Sequence, residues 1–352
     1  MTPQNSPAIF DGHNDLLLAL SSGRTSVAQV RDGGGPTQID LPRAIKGGFG
    51  GGFFALYAPS PDKTRPDTSA MEGESYDLPL PGLLEEGAAL RSAMVQVSMF
   101  RDLAAAGVIL PCTSAAQIEA ALDGPAMAAV LHLEGADCID PDFHALHVLH
   151  ALGLRSLGPV WSRETRWATG VPFRFPSTGD IGPGLTEDGK RLVRECNRLG
   201  IMIDLSHLNE KGVDDVAALT DAPLVATHSN AHAISPHARN LTDRQLDQIA
   251  ESGGMVGLNF AAAFLRPDGQ MQADVPLEVM IRHLDHLIGR LGEGGVGLGS
   301  DFDGAVVPQE IGDLAGLPAL IAAMRKAGYG EALIARLCHG NWLDVLRRTW
   351  GR

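Results

Sequence analysis

The chain has 352 residues, a formal net charge of −14, an apolar fraction of 44%, 42 Gly and 22 Pro. That acidity, with no Lys/Arg run, excludes nucleic acid and anionic membrane surfaces as partners, because both need a clustered cationic face. Small molecules remain, and an α/β barrel accommodates this length as one domain spanning residues 1–352.

In chain order, Met1 to Pro7 are polar and run straight into an apolar segment, which leaves no room for a cleaved leader. Short apolar runs then recur at Ala8–Asp15, Gly50–Ala58, Gly107–Cys112, Ala128–Glu134, Arg155–Trp161, Gly200–Ser206, Leu224–His228, Met255–Phe260 and Val296–Asp301. Alternating with amphipathic segments, they read as strands each followed by a covering helix, the pattern of a TIM-like (β/α)8 barrel. The runs exceed the eight places by one, and Gly107–Cys112 is expected to be peripheral or irregular. Helical periodicity is clearest over Glu187–Leu199, Thr242–Glu251, Leu277–Leu291 and Tyr329–Arg348. The stretches Pro59–Pro81 and Phe173–Gly184 are rich in Pro, Gly, Ser and Asp and read as long loops over the C-terminal face. No run reaches the ~18 apolar residues of a membrane span. Cys112, Cys138, Cys196 and Cys338 form no CxxC pair and read as free thiols, so a cytoplasmic location is expected.

The chemistry gathers at the strand ends. The first strand ends in Asp11-Gly12-His13-Asn14-Asp15, where alternation puts His13 and Asp15 on one side. Glu134, His207, His228 and Asp301 close four further apolar runs. In a closed parallel barrel such ends converge on one rim. Each residue alone has an ordinary explanation: a capped histidine, a buried ion pair, a turn aspartate. Jointly they make a metal site, because a carboxylate buried behind an apolar run needs a compensating cation. Imidazole and carboxylate without thiolate suit Zn²⁺, with Mn²⁺, Co²⁺ or Fe²⁺ as alternatives, and six ligands exceed the needs of one catalytic ion, so two ions are expected. His132, His144, His147, His150, His283 and His286 lie within strands or on helix faces and receive no role; His232 and His237 are close enough in sequence to support the site.

Several motifs in order, Asp11-Gly12-His13-Asn14-Asp15-Leu16, His132-Leu133-Glu134-Gly135, Asp204-Leu205-Ser206-His207, His228-Ser229-Asn230, Arg239-Asn240-Leu241 and Gly299-Ser300-Asp301-Phe302-Asp303-Gly304, resemble the membrane dipeptidase (renal dipeptidase) family of the metal-dependent amidohydrolase superfamily, along nearly the whole chain. The resemblance implies a dipeptidase with two zinc ions, one on His13 and Asp15, one on His207 and His228, with Glu134 bridging. It further implies attack by a hydroxide between the metals, Asp301 as the proton-handling group, Arg239 as receiver of the substrate carboxylate beside Asn240, and tolerance of a D-residue at the C-terminal position. Where the family places a substrate-facing His, this chain has Trp161, with Arg163 or Arg166 as replacement donors. The same rim would also serve N-acyl amino acids or other small amides, a deaminase with one metal, or a metal-binding protein without catalysis. A homodimer is the default assembly.

Overall fold

The computed structural model describes residues 6–60 and 68–351. Its strands are β1 (Ile9–Asn14), β2 (Phe49–Tyr57), β3 (Tyr76–Asp77), β4 (Ile109–Pro111), β5 (Met127–Glu134), β6 (Leu154–Gly158), β7 (Arg174–Phe175), β8 (Met202–Ile203), β9 (Val225–Ser229), β10 (Met255–Asn259) and β11 (Val296–Gly299). Nine pair in one sheet with the path β8-β6-β5-β2-β1-β11-β10-β9. The ring closes where Asp204 bridges to Val225 in parallel, with the Leu205 N–H donating to the Val225 carbonyl at 2.8 Å. The result is a TIM-like (β/α)8 barrel, as the alternation of runs predicts.

The ninth strand is β4, and it is peripheral. It pairs with the first half of β5, Ile109 opposite Met127 through Pro111 opposite Ala129. Beyond it, β6 takes the same edge from Leu131 to Glu134. The five-residue β6 is too short to cover the eight-residue β5, and β4 satisfies the remaining backbone groups.

The barrel is sealed from below by the C-terminal helix, Asn341–Trp350. Its Trp342 is fully buried, donates from Nε1 to the Leu298 carbonyl at 3.1 Å, and packs on Phe53 and Phe10 with ring centroids 5.4 and 6.4 Å away. Gly12 makes room: a Cβ there would sit 2.2 Å from the Thr227 carbonyl oxygen and 2.6 Å from the Trp342 ring.

Two differences from the sequence expectation have local causes. The periodic stretch Tyr329–Arg348 is interrupted by a π-turn at Arg336–Gly340 between two α segments, which re-aims the last helix so that Trp342 enters the barrel. The long loops are partly ordered against each other: β3 and β7 form an antiparallel ribbon, Tyr76 opposite Phe175. Residues 61–67 of the stretch Pro59–Pro81 lie outside the described residues. No described helix is long and apolar enough to cross a membrane.

Candidate active site

Six side chains meet at the rim. His13 is the fifth residue of β1, but Asp15 lies one residue past its end, capping the helix Leu16–Ser21. Strand alternation is therefore not what pairs them; a register irregularity between Asp11 and Asn14 turns the chain so that His13 Nε2 lies 3.6 Å from Asp15 Oδ2. Glu134 ends β5, and its Oε1 faces three imidazoles: His207 Nε2 at 3.1 Å, His228 Nε2 at 3.6 Å and His13 Nε2 at 3.7 Å. The His13 and His228 rings stack at 3.9 Å. One atom each from His13, Glu134 and His228, and likewise from His13, Asp15 and Asp301, fall within 4.8 Å of one another.

The backbone is bent to achieve this. His207, Asp301 and Asp303 take φ values of 68°, 62° and 67°, left-handed conformations that cost of order 1–3 kcal/mol each and gather at functional sites. Asp11 holds the Asp301 turn from β1, accepting from Ser300 N at 2.6 Å and Ser300 Oγ at 2.7 Å. Burial pushes the Asp11 carboxyl up to about 7, against these hydrogen bonds. Gly304 is required beside it, since a Cβ would lie 2.0 Å from Asp15 Oδ2 and 2.6 Å from Asp301 Oδ1. Gly304→Ala is expected to displace both carboxylates and lower kcat roughly 10- to 100-fold, about 1.4–2.7 kcal/mol, with the fold retained. Steady-state kinetics beside a melting curve checks this, and a variant with full kcat would show that the close approach is dispensable.

The donor set fits metal ions. Thr227 Oγ1 donates to Asp204 Oδ2 at 2.6 Å, so it accepts from His228 Nδ1 at 2.8 Å, and that leaves the His228 Nε2 lone pair facing Glu134 and, at 3.2 Å, His207 Nε2. Ser162 Oγ stands 2.8 Å from His207 Nδ1, which leaves His207 Nε2 to face Glu134. Both ring nitrogens of His13 are buried without a hydrogen-bond partner. Burial pushes Glu134 up to about 8, helped by Asp15 and Asp301 and opposed by His13. For His13, burial opposes the charged form, but Glu134, Asp15 and Asp301 outweigh it and push the imidazole up to about 10. His207 and His228 are held well below their usual range, by burial first and then by Arg239 and the other histidines. A buried cluster of lone pairs and carboxylates with this balance is completed by cations.

Asp301 Oδ2 accepts from Asn259 Nδ2 at 3.0 Å, and burial raises its carboxyl, with Asp15 adding to the effect and His13, Asn259 and Arg239 opposing it. Arg239 is 3% exposed, donates from Nη1 to Ser229 Oγ and from Nη2 to the His228 carbonyl, both at 2.9 Å, and keeps a buried Nε with no partner. Its guanidinium is thus fixed to β9, the strand that carries His228. Asn240 donates to the Ser235 and Phe264 carbonyls at 2.9 and 2.8 Å, bracing the loop.

Trp161 stands at the site, its ring 6.0 Å from His207, 5.2 Å from Tyr57 and 5.6 Å from Phe173. Arg163 does not stand free there: fully buried, it donates to the Ala58 carbonyl at 3.2 Å and Ser60 Oγ at 2.7 Å, lies 3.8 Å from Asp137, and packs over Trp161. It holds the loop that presents Trp161. Sequence reasoning passed over Asn259, Ser162, Thr227 and Asp204. Asn259 carried a usable signal, being the polar end of an apolar strand like the candidate ligands themselves; Ser162 and Thr227 act through hydrogen bonds to histidines, and Asp204 through its bond to Thr227.

The family model for membrane dipeptidase (peptidase family M19) matches residues 4–350. A metallo peptidase from Rhodobacter sphaeroides, solved with a phosphinate mimic of the dipeptide L-Ala-D-Ala, is 53% identical with a TM-score of 0.95, covering 98% of this chain and 100% of that one. An uncharacterized protein in the pqqA 5′ region of Klebsiella pneumoniae is 47% identical over 257 residues, 72% of this chain and 95% of the relative. Dipeptidase tcpJ of Claviceps purpurea is 26% identical over 347 residues, 96% of this chain and 76% of the relative. The strand-end residues, the barrel and a family match running from residue 4 to residue 350 agree: the chain belongs to the membrane dipeptidase family, peptidase family M19, and is a metallopeptidase that hydrolyses dipeptides.

Proposed function

We propose that the chain is a binuclear zinc dipeptidase that accepts a D-residue at the C-terminal position. The observation that carries this reading is Glu134 Oε1 facing three imidazoles within 3.1–3.7 Å while Asp15 and Asp301 flank the same histidines. Six donors of nitrogen and oxygen type are more than one open catalytic ion uses. His13 and Asp15 would hold one ion, His207 and His228 the other, with Glu134 between them. Zinc, when bound, would lower the pKa of a water from 15.7 to about 7 and polarise a carbonyl oxygen.

The chain's own residues do the rest. Asp301, held in place by Asn259, takes the proton of the attacking water at a carboxylate oxygen and passes it to the amine nitrogen as the C–N bond breaks. Arg239 receives the substrate's carboxylate through its free Nε edge, a planar donor pair that Lys cannot copy. Trp161, Tyr57 and Phe173 wall the site beside His207 and exclude water from it. Tolerance of the D-residue is supported by the L-Ala-D-Ala mimic bound to the Rhodobacter sphaeroides peptidase. A cytoplasmic location is supported by Cys112, Cys138, Cys196 and Cys338, all free and buried.

Arg239→Met tests the binding half of this reading. KM for L-Ala-D-Ala is expected to rise at least about tenfold, roughly 1.4 kcal/mol, with kcat nearly unchanged. An unchanged KM would remove Arg239 from the substrate site.

A further inference from the structure

His237 is a buried titratable group beside Arg239 that the chemistry above does not use. It is fully buried, and its Nδ1 accepts the backbone N–H of Arg239 at 2.9 Å. Accepting at Nδ1 requires a lone pair there, so the ring is neutral and carries its proton on Nε2. Burial, with the charges of Arg239 and His232, pushes the His237 imidazole down to about 3, which keeps it in that form across the working range. Nε2 has no hydrogen-bond partner, and the ring stands among Phe264, Tyr76 and Phe175, with centroids at 4.6, 5.8 and 6.4 Å.

Those rings belong to two different parts of the molecule. Tyr76 and Phe175 are the paired residues of the β3–β7 ribbon over the rim, while Phe264 also lies under the Arg239 guanidinium at 5.8 Å. The loop that carries Arg239 is tied to the same ribbon by backbone bonds, Ala238 N to the Arg174 carbonyl at 3.0 Å and Ser177 N to the Pro236 carbonyl at 2.8 Å. His237 therefore sits at the junction of roof and Arg239 loop and answers a buried N–H that would otherwise be orphaned.

We propose that His237 is a positioning residue for substrate recognition: its Nδ1 fixes the backbone of Arg239, and its ring locks that backbone to the aromatic underside of the ribbon. This deepens the reading of Arg239 as the carboxylate receptor and rests on it for the effect on KM. The hold on the loop is a separate claim.

Two variants split the functions of the side chain. His237→Phe keeps the ring and removes the acceptor; His237→Asn keeps an acceptor at the Nδ1 place and removes the ring. The measurements are hydrogen–deuterium exchange over segment 236–241 and steady-state kinetics on L-Ala-D-Ala, with a melting curve for each protein. His237→Phe is expected to exchange at least tenfold faster in that segment and to raise KM about tenfold with kcat within twofold, while His237→Asn, which loses only the packing of the ring, falls between wild type and His237→Phe in both. Exchange unchanged in His237→Phe overturns the proposal, as does faster exchange with an unmoved KM when Arg239→Met raises it. If Arg239→Met itself leaves KM unmoved, the carboxylate reading fails, and the exchange comparison between the two variants still decides whether His237 fixes the loop.

Discussion

Asp301→Asn is expected to lower kcat by about 10³-fold or more, some 4 kcal/mol of transition-state stabilisation, while the protein folds and melts like wild type. The substitution is unusually clean here. Asp301 holds φ at 62°, a conformation that Asn adopts as readily as Asp, so the turn survives. An amide oxygen still accepts from Asn259 Nδ2, now 3.0 Å from Asp301 Oδ2, and the backbone bonds from Asp301 N to the His13 carbonyl and from Gly304 N to the Asp301 carbonyl do not involve the side chain. What is lost is the ability to take and return a proton. Steady-state kinetics on L-Ala-D-Ala decides the matter; near-full kcat in the variant would end the proton-transfer role.

Glu134→Gln is expected to be as severe for a different reason. A neutral amide at the end of β5 no longer balances two cations, and its NH₂ group would point at imidazole lone pairs that Glu134 Oε1 now faces from 3.1 to 3.7 Å. Bound metal should fall from two equivalents to one or fewer, and kcat/KM by about 10³-fold or more, because both proposed ions lose their shared ligand. Elemental analysis after gel filtration reads the first effect and dipeptide hydrolysis the second. A variant that retains two ions would show that Glu134 is not the bridge.

Much of this site is legible in the sequence because most of the candidate ligands stand at or just beyond the end of a strand. Glu134, His228 and Asp301 stand at or beside the ends of β5, β9 and β11, so apolar runs with a polar last residue are enough to locate the rim. Asp15 is found for the wrong reason: it shares a side with His13 through a backbone irregularity, not through strand alternation. What escapes is what depends on partners far away in sequence. Arg163 is held by Ala58 and Ser60, more than 100 residues earlier, and nothing in its own neighbourhood signals that its donors are engaged. The β3–β7 ribbon joins two segments that each read as loop, and two-residue strands carry no periodicity to detect. The π-turn at Arg336–Gly340 leaves the apolar spacing of its helix nearly intact, which is why Tyr329–Arg348 reads as one continuous element.

The most direct test of the account is metal content measured together with hydrolysis of L-Ala-D-Ala, before and after chelation and after zinc is restored. The account predicts about two zinc equivalents per chain, loss of cleavage on chelation and its return with zinc. Full cleavage by the metal-free protein, or full activity with a single ion, would contradict it.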